Sequence, residues 1–261
     1  MADVAMEEAV PAPIAPTMTR REHLAKTFEA YRSELDEANE RREQIIIRSR
    51  AITQLSKKLI FHCHRGATAP PAARAKNLKD GRDKEREIHA NFVAIRAQLA
   101  IGADDGGNEN FWQFKDRITG GLEEYIEAYT FLYYLETKEL APLAELQKAL
   151  SDESGAPDYI LGMSDLTGEL MPLSTGDHDV PLAVCSFVRD VKLIFDAIPP
   201  KMVPKLDRKQ EETTRSLEKI EKVCYALRLR LVEFGDKPEV LKTMAKRALE
   251  EANMAGPEGR E

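Results

Sequence analysis

Cysteine is scarce: Cys63, Cys185 and Cys224 are the only three in 261 residues, and each sits in an apolar pattern. Three such thiols build no disulfide framework, so the expectation is buried, reduced cysteine in a cytosolic or nuclear protein. Aromatic residues make up 7% of the chain, and Gly and Pro number 14 each. That is too little turn and strand chemistry for a sheet sandwich of this length. The longest apolar stretch runs only from Tyr129 to Leu135, far short of the ~18 residues a membrane-spanning helix needs. A spanning helix is excluded. The first twenty residues, MADVAMEEAVPAPIAPTMTR, carry acids where a secretory signal carries bases.

Basic residues are missing where acids gather. The net charge of −7 divides into +4 over residues 1–100, −13 over 101–188 and +2 over 189–261. No Lys or Arg lies between Lys148 and Arg189, while seven acids do. Such a segment is either a set of solvated, repelling loops or a site that awaits a cation.

What the chain has in abundance is helical periodicity. Residues 1–17 are Ala- and Pro-rich and predict a disordered tail. Residues 18–254 read as a single α-helical domain, and 255–261 as a C-terminal tail. Thr19-x-x-Glu22 is a capping box. After it, Leu24, Phe28, Tyr31, Leu35, Ala38, Arg42, Ile45, Ser49, Ile52, Leu55, Leu59 and Cys63 recur mostly every four or three residues. One side of one helix therefore stays apolar for some forty residues and needs partners along its length. Gly66 and PPAARAKNLKDG should end it in a flexible loop.

Further helices are expected at Ile88–Leu99, at about 110–135, from Pro142, at 157–171, from Asp179 with Val184, Phe187, Val191, Ile194 and Ile198 inward, and from Pro204 to Phe234. A last one spans about 238–254. No segment alternates with period two for long. The fold class is all-α, an elongated bundle of about seven long helices.

Glu124 and Glu127 stand three apart in GGLEEYIEAYTFLYYLE, on one side of a helix whose next turns are apolar nearly all round. Neither has a basic residue three or four positions away. Asp165 and Glu169 share a face four apart in ILGMSDLTGELM, beside Gly162 and Gly168, which let a helix or ligand come close. Solvated acids on exposed stripes account for either pair taken singly. Two pairs on two buried helices instead form a set of four carboxylates, and buried unpaired carboxylates need a cation or a shared proton. Four oxygen donors without His or Cys suit Mg²⁺ or Mn²⁺. Two such ions can activate water and stabilise the leaving oxygen in phosphodiester hydrolysis.

Other groups carry less. His62 and His64 point about 200° apart on a helix and read as satisfied or solvent-facing. No Glu-x-x-His di-iron pattern occurs. Arg41, Arg42, Lys57, Lys58 and Arg65 give the first helix a cationic side, either simply solvated or in contact with phosphates.

The run FKDRITGGLEEYIEA from Phe114, the run DYILGMSDLTGELM from Asp158, and CYALR from Cys224 resemble the translin superfamily, in its translin-associated factor X (TRAX) branch. The resemblance covers about residues 20–250 and implies a bundle of seven long helices. It further implies a Mg²⁺-dependent endoribonuclease subunit, Mn²⁺ able to substitute, cleaving single-stranded RNA inside a hollow, octameric hetero-oligomer with translin. By that resemblance Glu124, Glu127 and Asp165 are metal ligands, and Glu169 is a fourth catalytic acid. The location implied is cytoplasmic, with the nucleus as a second compartment, although no basic cluster precedes Arg20. Pro172 departs from the family pattern, which continues with a basic residue. The second reading is a non-catalytic RNA-binding or assembly subunit; a coiled-coil adaptor built on the first helix is the third.

Overall fold

The computed structural model describes residues 18–102, 108–150, 156–175 and 179–234, with isolated positions at 243, 247 and 250. The expected N-terminal tail, most of the expected last helix, the C-terminal tail and residues 103–107 lie outside the described residues. The described chain is helical without a strand: α1 (Arg20–Ala67), α2 (Pro71–Leu99), α3 (Asn108–Thr137), α4 (Leu143–Leu150), α5 (Ala156–Leu170), α6 (Asp179–Asp196) and α7 (Leu206–Phe234), with 3₁₀ turns at Met171–Thr175 and Pro200–Met202.

The chain divides into two units, Met1–Glu43 and Gln44–Glu261. In the first, the capping box forms as expected. The backbone N–H of Thr19 donates to Glu22 Oε2 at 2.8 Å and that of Glu22 to Thr19 Oγ1 at 3.3 Å. The apolar side that follows is not covered: Leu24, Phe28, Tyr31 and Leu35 are 46–69% exposed.

In the second unit the α1 stripe enters a core through Ile45, Ile52, Leu59 and Cys63. The predicted loop after Gly66 is only a tight turn. Pro71 takes the first position of α2 and PAARAKNLKDG forms its first turns. Proline is at home there because the first N–H has no helical partner, and the alanines and lysines that follow favour helix. α6 also differs in phase from the expectation. Phe195 is fully buried, whereas Ile194 is 59% exposed. α5 ends at Leu170, directly before the 3₁₀ turn that contains Pro172. All three cysteines are free and buried.

α3 forms the middle of this core. Tyr125, Ile126, Phe131 and Leu132 are fully buried, and Tyr129 and Tyr134 nearly so. Two glycines decide how closely its neighbours approach. A Cβ on Gly162 of α5 would lie 2.6 Å from Ile126 Cγ2 and 3.0 Å from the Glu123 carbonyl. A Cβ on Gly121 of α3 would lie 2.9 Å from the Ser49 carbonyl of α1. No larger residue fits either place without a shift. Gly168, by contrast, faces open space.

Candidate active site

The close approach of α5 to α3 brings the two acidic pairs together. Glu127 lies between them, mostly buried. Its carboxyl is hydrogen-bonded to Glu169, and the charges of Asp165, Glu169 and Glu124 all act on it. Burial first, and those three acids next, push its pKa up to about 9. At neutral pH Glu127 therefore keeps its proton, with Glu169 beside it.

The other three acids each face a basic side chain from a distant part of the chain. Lys57 Nζ of α1 is 3.2 Å from Glu124 Oε1. His64 Nε2, also of α1, is 2.5 Å from Glu169 Oε2, and its ring leans on Phe131 with centroids 4.8 Å apart. Lys209 of α7 donates to Asp165. Burial still raises the Asp165 carboxyl above the usual range, against the pull of Lys209. The sequence expectation of acids without basic partners holds along each helix and fails across helices.

Lys209 is held in place by its own surroundings. Ser164 Oγ of α5 donates to the Lys209 carbonyl at 3.2 Å and lies 3.0 Å from Thr213 Oγ1, so α5 and α7 are fastened one residue from Asp165.

A fifth acid belongs to this region. Glu123 is half-buried, its Oε1 has no hydrogen-bond partner, and its pKa is raised by burial, opposed by Lys205 and Lys209. Asp158 and Asp165 add to the rise. Sequence reasoning passed over Glu123 and Lys209, and read His64 only as satisfied or solvent-facing. The signal for Glu123 was its place beside Glu124 in the same basic-poor segment; His64 gave none.

Of the basic residues expected to meet RNA, Arg42, Lys58 and Arg65 are exposed and Arg41 is half-buried. Lys57 is exposed along most of its length but turns its ammonium to Glu124. Arg41 and Arg42 belong to the first unit, the others to the second.

The donor set suits a hard divalent ion: carboxylate oxygens, partly buried, with a proton on Glu127 that a cation would displace. As the side chains stand, Lys57, Lys209 and His64 occupy those oxygens. Among the described residues no three His, Cys, Asp or Glu side chains are arranged to ligate a metal together.

The Translin family model matches residues 40–231. The chain belongs to the Translin family. Translin-associated protein X of Rattus norvegicus is 31% identical over 234 residues, with 78% of each chain covered. The Translin-associated protein X homolog of Schizosaccharomyces pombe is 28% identical over 217 residues, covering 79% of this chain and 89% of the relative. Among solved structures, apo-NeC3PO aligns with a TM-score of 0.58 at 17% identity, covering 78% of this chain and 96% of that one. At that identity the likeness speaks for the translin-type fold alone. No helix among the described residues is long and apolar enough to cross a membrane.

Proposed function

We propose that this Translin-family chain is the acidic, catalytic subunit of a complex with translin that hydrolyses single-stranded RNA with Mg²⁺. Mn²⁺ would substitute, and the complex would be a closed, octameric hetero-oligomer working in the cytoplasm, with the nucleus as a second compartment. The observation that carries the reading is Glu127. It is a carboxyl that burial first, and three neighbouring acids next, force to keep a proton, and a divalent ion relieves that cost. Glu124, Glu127 and Asp165 would hold the metal, with Glu169 as the fourth acid. When bound, the ion would supply a nucleophilic water and charge stabilisation at the phosphodiester. His64 keeps Glu169 oriented, and Lys57 and Lys209 balance Glu124 and Asp165 until the ion arrives.

The partner reading rests on two supports. The relatives are proteins named for association with translin, and the first unit presents an uncovered apolar stripe. The occupation of three acids by Lys57, Lys209 and His64 favours the second reading, a non-catalytic assembly subunit whose acids serve as ion pairs.

Mn²⁺ binding to the purified chain, followed by paramagnetic resonance, separates the two. A catalytic subunit binds Mn²⁺, and Asp165→Asn weakens that binding by about ten- to a hundredfold. An assembly subunit leaves the free Mn²⁺ signal unchanged.

A further inference from the structure

A cavity of about 700 Å³ opens beyond the acidic cluster, where the α1–α2 turn, the end of α3, the 3₁₀ turn after α5 and α6 meet. Its walls include Tyr134, Leu135, Pro172 and Leu173. Arg74 and Lys138 supply its charge, and no acid lines it among the described residues.

Among the described residues these two cations have no counter-charge. Arg74 Nε donates to the Ala69 carbonyl at 2.9 Å, and Lys138 Nζ to the Leu135 carbonyl at 3.2 Å. Both acceptors are neutral, and neither cation forms an ion pair among the described residues. Lys138 also lies over the Tyr134 ring, 5.4 Å from its centroid. Burial, and then the charge of Arg74, lower the pKa of Lys138. Its backbone adds a second cost. At φ 63° it holds the left-handed position that closes α3, its N–H donating to the Tyr134 carbonyl at 2.8 Å. Glycine is the usual residue there, and a side chain in that conformation is strained.

We infer that this cavity binds an organic phosphate monoester of nucleotide size, its phosphate between Arg74 and Lys138 and its body against the apolar wall. A phosphate monoester carries nearly two negative charges at neutral pH, which matches two unbalanced cations better than a single carboxylate does. The volume falls in the range of small-molecule sites, and the mostly apolar wall with few polar groups is their usual composition. Such a monoester reaches the cavity either as a free nucleotide or as the 5′-phosphorylated end of a strand. The inference does not depend on the metal-site reading.

The test is calorimetric titration of the full chain with AMP in EDTA, so that no ion at the acidic cluster can bind the phosphate. Adenosine and inorganic phosphate are the controls. Lys138→Gly removes the ammonium while suiting the backbone, so lost binding in that variant is not lost folding; Arg74→Gln removes the second charge from an exposed position. The expected result is AMP binding stronger than either control and weakened about tenfold by each substitution. Displacement of AMP by a 5′-phosphorylated single-stranded oligonucleotide, but not by its 5′-hydroxyl form, identifies the strand end as the source. Failure of both oligonucleotides to displace it identifies the free nucleotide. Absence of AMP binding, or equal binding by wild type and both variants, overturns the inference.

Discussion

Gly162 of α5 sits so close to Ile126 of α3 that an added Cβ would stand 2.6 Å from Ile126 Cγ2. That approach sets Asp165 and Glu169 beside Glu127. Gly162→Ala is therefore expected to destabilise the fold by roughly 1–3 kcal/mol, the usual cost of overpacking. Gly120→Ala, one turn of α3 away from Glu124 and with nothing within 4 Å of its Cβ, should stabilise by about 0.5–1 kcal/mol through helix propensity. Urea unfolding of the two variants checks the pair. Equal effects would mean that the α3–α5 spacing is not set at Gly162.

The proton on Glu127 makes stability depend on pH. Its folded value of about 9 lies above the ordinary 4.5. Below about pH 4.5 both folded and unfolded chains carry the proton, and the group costs nothing. Above that, the unfolded chain ionises while the folded one retains its proton, so stability falls as pH rises and the loss is complete above about 9. In EDTA, Glu127→Gln should flatten the melting profile across this window and raise Tm at its alkaline end. A profile parallel to that of the wild type would show that Glu127 ionises freely.

The exposed stripe on the first part of α1 predicts a partner. Phe28→Ser with Leu35→Ser should change the stability of the chain itself by less than about 0.5 kcal/mol, because both side chains face water. Association with translin should weaken at least tenfold, since each buried side chain of this kind contributes about 1.5–3 kcal/mol. Sedimentation of the mixture reads this directly. Unchanged assembly by the double variant would place the contact elsewhere.

The sequence made local features plain and distant ones invisible. The capping box at Thr19 and Glu22, the buried turns of α3, and the shared faces of Glu124 with Glu127 and Asp165 with Glu169 follow from spacing within one helix. The partners of those acids do not. His64 meets Glu169 across 105 residues and Lys209 meets Asp165 across 44, and no periodicity links them. His64 read as satisfied or solvent-facing because its own helix offers nothing that names Glu169. α6 shows a finer ambiguity. Adjacent residues Ile194 and Phe195 both fit an apolar stripe, and only packing against the rest of the core selects Phe195. The stretch PPAARAKNLKDG read as a flexible loop, yet Pro71 at the first helical position begins α2.

The four carboxylates are proposed to perform RNA hydrolysis with a divalent ion. That role is tested most directly by single-stranded RNA cleavage in Mg²⁺, using translin complexes that contain either the wild-type chain or Glu124→Gln, Glu127→Gln or Asp165→Asn. The account predicts intact complexes whose cleavage rate falls by roughly a hundredfold or more in each variant. Wild-type rates from all three variant complexes would contradict it.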